Sequence, residues 1–338
     1  MKRNIVLVLC LALILIPAAS CAKKGAGASS AESLLGYLPQ STNGVIVMDM
    51  GRIMNTDAAV KAIQEEKMAA KYKEFIEKTG IDPQKDIHFL AVGMTGDLSG
   101  KATEAAVILN MDYKKDDLLA KIKAEAKDVQ ETTYSGVTLY TVPEKDGDKP
   151  AYVTFLSDAI IAGGTENAIK SVIDTQQKKT ESILKNEALA AILKGVRKDA
   201  MVWSAFAVPA EAMEKAAAEN PMMGNLKGLY GVTMLFDYKN KGLVAEIKGL
   251  NKDEAKNKEL ATMLDGLKAM GAMASSQEPA LGEVLEKIVI SSGPDAITIS
   301  AELPEDLLNK LKAKAEEKAE SLLTKKPETE TSEDEIEE

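Results

Sequence analysis

The chain has 338 residues, and the first 20 read as removable, which leaves roughly two domains' worth of polypeptide and excludes a minimal disulfide scaffold. Lys and Arg number 42 against 52 Asp and Glu, a net charge of −10, so there is no general basic face to neutralise nucleic-acid phosphates. Aromatic residues make up 4% and there are one His and two Cys, which excludes broad stacking platforms for sugars or bases and removes most of the usual catalytic reagents.

Lys2 and Arg3 precede an uninterrupted apolar run from 5 to 16. Twelve residues are too few to span a bilayer as a helix and fit the hydrophobic region of a secretory signal, with Cys10 as an apolar filler. The segment Ala18-Ala19-Ser20-Cys21 then resembles the lipobox of bacterial lipoprotein precursors, with Ala18 where that family most often has Leu. The resemblance implies cleavage before Cys21, diacylation of its sulfur, commonly N-acylation, and membrane attachment through two or three acyl chains. Ala22 instead of Asp implies transfer to the periplasmic side of the outer membrane in a Gram-negative host, or retention on the outer face of the only membrane in a Gram-positive one. An ordinary secretory signal cleaved after Ala19 or Ser20 is the alternative. Residues 21–32, small and polar after the Cys, read as a flexible tether.

A strand is expected at 45–50, a long helix at 56–79 stopped by Gly80, and strands at 87–94 and 105–111 joined by a turn at 96–100. A helix at 114–126 leads to a hairpin pairing 137–142 with 152–156, a strand edge at 159–162 and a helix at 166–176. The second half repeats this order: strand 201–208, helix 210–219, hairpin strands 229–236 and 243–248, helix 252–275, strands 288–291 and 296–301, and helix 305–323. Ser157-Asp158-Ala159-Ile160-Ile161 matches Pro294-Asp295-Ala296-Ile297-Thr298, and a weaker match sets Leu109-Asn110-Met111-Asp112-Tyr113-Lys114 beside Gly249-Leu250-Asn251-Lys252-Asp253-Glu254. These matches predict an α+β fold of two related units, 33–198 and 199–324, each an antiparallel sheet covered by helices. Residues 325–338, with seven acids, two bases and almost nothing apolar, read as a disordered tail.

Leu38-Pro39-Gln40-Ser41-Thr42 before a strand ending in Asp49, then Gly80-Ile81-Asp82-Pro83 and Tyr134-Ser135-Gly136-Val137, together resemble uncharacterised duplicated-domain bacterial lipoproteins and exported proteins. That resemblance implies no activity.

Few residues offer chemistry. His88 alternates with apolar neighbours and has no local nucleophile or orienting acid, so it reads as a structural or surface residue. Asp146-Gly147-Asp148 lacks the later oxygen ligands of a calcium loop and reads as a hairpin turn. Gly163-Gly164-Thr165-Glu166 could hold an anion at a helix N-terminus but carries no P-loop Lys, and Thr165 serves equally as an N-cap. Trp203 reads as a core residue or a boundary anchor.

The feature that leans toward a ligand is methionine, 15 in all. Met263, Leu267 and Met270 lie on an apolar helical stripe, with Met273, Met222 and Met223 in the same half of the chain; the stripe is either the face that packs on the sheet or a groove for a hydrophobic cargo. Gly266 and Gly271 would permit close approach of another backbone. The expectation is thus a lipid-anchored, non-catalytic envelope protein without cofactor or metal, attached to the membrane through Cys21, binding a hydrophobic ligand or envelope protein and no nucleic acid. A carboxylate-based hydrolase is the alternative.

Overall fold

The computed structural model describes residues 30–96, 102–126, 128–143, 149–219, 224, 226–275 and 278–324. The signal segment, Cys21, the tether up to residue 29, the Asp146-Gly147-Asp148 loop, Met222, Met223 and the acidic tail lie outside the described residues.

In the first half a 3₁₀ segment, Ala31–Tyr37, precedes β1 (Gly44–Asp49), α1 (Met50–Met54), α2 (Asp57–Gln64), α3 (Glu66–Thr79), β2 (Ile87–Gly96) and β3 (Ala102–Met111). There follow α4 (Lys115–Glu125), β4 (Gln130–Tyr134), β5 (Val137–Val142), β6 (Ala151–Ser157), β7 (Ile160–Gly164), α5 (Glu166–Gln176) and α6 (Glu187–Leu193). The second half comprises β8 (Val202–Ala207), α7 (Ala210–Glu219), β9 (Gly231–Lys239), β10 (Gly242–Leu250), α8 (Glu254–Ala274), α9 (Pro279–Lys287), β11 (Ile288–Ser292), β12 (Ala296–Leu303) and α10 (Glu305–Thr324).

The fold is α+β. Its strands form one antiparallel sheet in the order β11-β12-β10-β9-β8-β1-β2-β3-β7-β6-β5-β4. The expectation of one sheet per unit is thereby corrected: β1 and β8 pair directly, Val45 opposite Ala205 and Val47 opposite Trp203, and this seam fuses the two halves edge to edge. Tight turns set the hairpin registers. Ser135 and Gly136 both take positive φ between β4 and β5, as do Asn240 and Lys241 between β9 and β10, the geometry that two-residue hairpin loops need to match strand twist.

Near the seam both faces of the sheet are covered. On one, Val45, Val47, Ala91, Ile108, Trp203 and Ala205 pack against Leu34, Leu35 and Leu38, against Ile169, Val172 and Ile173 of α5, and against Leu189 and Ile192 of α6. Trp203 is core, 1% exposed. The three leucines of the 3₁₀ segment and its end are fully buried. Burial of these side chains, at about 2 kcal/mol each, holds against the sheet a segment with no helical period of its own. On the other face Leu90, Leu109, Met111 and Ile161 pack with Met50, Ile53 and Met54 of α1 and Leu118 of α4. The helix expected over 56–79 is interrupted at Glu65, whose extended ψ of 135° separates α2 from α3.

Away from the seam the second half covers one face only. Register places Met234, Ile247, Ile299 and Ile290 in a row across β9, β10, β12 and β11, beneath α8, α9 and α10. The alternate positions, Glu246, Lys248, Thr298 and Ser300, form the opposite, polar face, where Lys248 Nζ sits 2.9 Å from a Glu246 carboxylate oxygen.

Candidate apolar binding surface

α8 starts firmly. Asp253 accepts from the Lys256 N–H as N-cap, and Asn257 Nδ2 donates to the backbone oxygens of Asn251 and Gly293, each at 2.9 Å. Leu260, one turn on, is 5% exposed against the sheet. Two turns further, Leu267 projects from the same side of the helix, since seven residues advance the face by only about 20°. Yet Leu267 is 49% exposed, Met270 67% and Met273 80%. Of the 21 residues of α8 only Asn257 and Leu260 are buried, whereas the 11 residues of α5 bury five.

α9, opened by Pro279 at its N-terminal turn, buries Ala280 and leaves Leu281 47% exposed. It meets α8 where a Cβ on Gly271 would come 3.3 Å from Leu285 Cδ1, so Gly271 provides the close approach its spacing suggested; a Cβ on Gly266 would face open space. Lys268 Nζ ties α8 to β11 by donating to the Ile288 oxygen. Below the helices Ile247 and Phe236 remain 40% and 38% exposed, so the cover on the apolar sheet face is incomplete. Of the residues singled out by sequence, Met263 is half-buried, and Leu267, Met270 and Met273 are on the open surface.

A second, polar constellation sits at the seam and carried no sequence signal. Asp237 of β9, 3% exposed, accepts from Arg52 Nη2 on Oδ1 and from Arg197 Nη2 on Oδ2, both at 2.9 Å. Arg52 Nη1 also donates to the Asp199 backbone oxygen, which ties α1 of the first half to the second. Asp49 caps α1 by accepting from the Arg52 N–H. Burial pushes the Asp49 carboxyl above the usual aspartate value, opposed by that N–H and by the charges of Arg52 and His88.

His88 occupies a β-bulge: Ile87 pairs with Met111 and Phe89 with Asn110, leaving His88 as the extra residue. Its Nε2 lies 3.1 Å from an Asp112 carboxylate oxygen but is not aligned for a hydrogen bond. The anion cradle read from Gly163-Gly164-Thr165-Glu166 is filled by the chain itself. The Glu104 carboxylate accepts from the Thr165 hydroxyl and from Asn167 Nδ2 at 3.1 Å. The Thr165 hydroxyl leads the groups that hold Glu104 below the usual glutamate value.

A cleft of about 80 Å³ lies beside Glu104 and Asn167, and a larger polar one of about 590 Å³ is lined by Tyr37, Thr175, Lys178 and Glu181; neither borders α8 or α9. Among the described residues no group of three or more His, Cys, Asp or Glu side chains could hold a metal ion, and no helix is long and apolar enough to cross a membrane.

Residues 105–316 match the family described as "Protein of unknown function (DUF3352)". The chain belongs to the DUF3352 family. The family match takes in the exposed apolar residues of α8 and α9 together with Arg197 and Asp237, and leaves Asp49, Arg52 and His88 outside it. No curated protein matches the sequence. Among solved structures, TP0453 in crystal form I is similar with a TM-score of 0.45 and 8% identity, over 81% of this chain and 94% of that one. Crystal form III of TP0453 gives a TM-score of 0.46 and 9% identity over 81% and 95%.

Proposed function

We propose that this DUF3352 chain is a lipid-anchored, non-catalytic binding protein of the bacterial envelope, taking an apolar ligand or a protein partner on the surface formed by α8 and α9. The observation that carries the reading is the exposure of Leu267, Met270, Met273 and Leu281 over an incompletely covered apolar sheet row. Clustered exposed apolar side chains mark interaction sites, and unbranched thioethers adapt to ligands of differing shape. Titration of the full chain with a fluorescent fatty-acyl probe tests it. Saturable binding lost in Met270→Ser/Met273→Ser supports the reading, and binding that the double variant retains in full overturns it.

The anchor half of the proposal rests on the lipobox-like Ala18-Ala19-Ser20-Cys21. It calls for a mature N-terminal peptide beginning at Cys21 and carrying acyl mass; a free Cys21 thiol, or cleavage elsewhere, contradicts it.

We also propose that the two halves are copies of one unit. From the seam outward the strands run β1-β2-β3-β7-β6 in one half and β8-β9-β10-β12-β11 in the other. In addition, the Met111 N–H bonds to the Ala159 oxygen where the Asn251 N–H bonds to that of Asp295, near the turn that opens β7 or β12.

A further inference from the structure

The side chains that react most readily with oxidants are cysteine, methionine and tryptophan, and this chain places few of them in water. It has two cysteines; under the proposed processing Cys10 leaves with the signal segment and Cys21 is acylated, so no thiol competes for oxidant. Trp203, the single tryptophan, is core. Met50, Met111 and Met201 are buried, and Met234 and Met263 half-buried. Among the described residues only Met270 and Met273 are exposed methionines.

Both lie on α8, three residues apart, and Leu267 precedes Met270 by the same interval, so the three follow one side of the helix. An apolar ligand seated there uses the two thioethers as contact surface. The same exposure that offers them to a ligand leaves each sulfur open to a small oxidant, whereas the buried methionines are shielded by the cores they fill.

We infer that Met270 and Met273 form a reversible oxidation site, through which a peroxide-class oxidant turns off the apolar surface of α8. The inference rests on the binding role proposed for that surface. A lone pair of the thioether sulfur attacks one oxygen of hydrogen peroxide; the S–O bond forms as the O–O bond breaks, the proton on the transferred oxygen passes to the departing hydroxide, and water leaves. Sulfur is oxidised by two electrons to the sulfoxide, and the peroxide is reduced. The product is a polar, chiral side chain whose oxygen holds water. A ligand that covers it without replacing that hydrogen bond binds about tenfold more weakly for each such group. Methionine sulfoxide reductases reverse the step, one enzyme for each sulfoxide epimer: the oxygen leaves as water while two thiols become a disulfide.

The full chain, treated with a small excess of hydrogen peroxide, is mapped by peptide mass spectrometry and titrated with the fatty-acyl probe. The expected result is one oxygen added at Met270 and at Met273 before Met50, Met111, Met234 or Met263 reacts, with probe affinity lowered by about tenfold or more. The pair of reductases restores that affinity. Met270→Leu/Met273→Leu, which keeps an apolar side chain and helix propensity but has no sulfur, binds the probe and holds its affinity through peroxide treatment. Wild-type binding that peroxide leaves intact, oxidation that begins at the half-buried methionines, a loss that the reductases do not reverse, or an equal loss in the Leu variant overturns the inference and leaves the binding reading standing. An untreated wild-type chain that never binds the probe overturns both.

Discussion

Replacing Met270 and Met273 together with Ser removes the two most exposed apolar side chains of the proposed surface, 67% and 80% accessible. With Leu267 and Leu281 they leave about two and a half side chains' worth of apolar area in water. Complete coverage by a ligand would contribute about 4–7 kcal/mol, at ~1.5–3 kcal/mol per side chain. Association itself costs about 4 kcal/mol or more, so micromolar binding at about −8 kcal/mol requires further contacts, for which Ile247 and Phe236 beneath the helices are placed. The two methionines account for about 2–4 kcal/mol of that coverage, and the double variant should bind a fatty-acyl probe roughly 30- to 700-fold more weakly. Because both side chains are mostly in water, urea unfolding followed by circular dichroism should change by less than about 1 kcal/mol, the helix-propensity difference included. Unchanged probe affinity refutes the reasoning. So does a loss of about 3 kcal/mol in stability, which would show the pair to be core.

Other variants test the fold that holds this surface. A Cβ on Gly164 would lie 2.1 Å from the Ala105 backbone oxygen and 3.0 Å from Ala106 Cα, so Gly164→Ala must part β3 from β7. It should cost about 3 kcal/mol, the upper end of overpacking penalties, read as a lowered urea midpoint. Asp237→Ala leaves the Arg52 and Arg197 guanidiniums without their carboxylate; as both are about 40% exposed, the expected loss is about 2 kcal/mol, below that of a fully buried pair. Asp49→Asn keeps an oxygen to cap α1 and removes a carboxylate whose ionisation burial opposes. Since the folded state holds the Asp49 proton more tightly than the unfolded chain, ionised Asp49 costs stability above its raised folded value, and the cost fades as pH falls to the ordinary aspartate value. Thermal midpoints should therefore rise in Asp49→Asn at pH 7 and converge with wild type in acid; a lower midpoint at pH 7 contradicts the burial argument.

What was legible in the sequence is what local chemistry dictates. Alternating apolar residues gave the hairpin strands, Gly80 ends α3 in the left-handed conformation as its position suggested, and 3.6-residue spacing marked the stripe on α8. β4 was missed because Gln130-Glu131-Thr132-Thr133-Tyr134 is a polar edge strand with no buried face to impose alternation. The break at Glu65 carries no Gly or Pro. α1, α6 and α9, at five to nine residues, are too short for a clear period. The β1–β8 seam joins residues about 158 positions apart, beyond the reach of local pattern, and nothing distinguishes Asp237 among 52 acidic residues until the fold brings Arg52 and Arg197 to it. Spacing located the methionine stripe but could not say whether the sheet would cover it, since that depends on how far α8 stays in contact past Leu260.

The most direct test of the binding claim is site-specific photo-crosslinking in intact bacteria, with a photoreactive residue at position 270 or 273 and, as control, at exposed Glu187 on α6. The account expects a discrete adduct, lipid or protein, at 270 and 273 and none at 187. Equal yields at all three positions, or no adduct at 270 and 273, would contradict it.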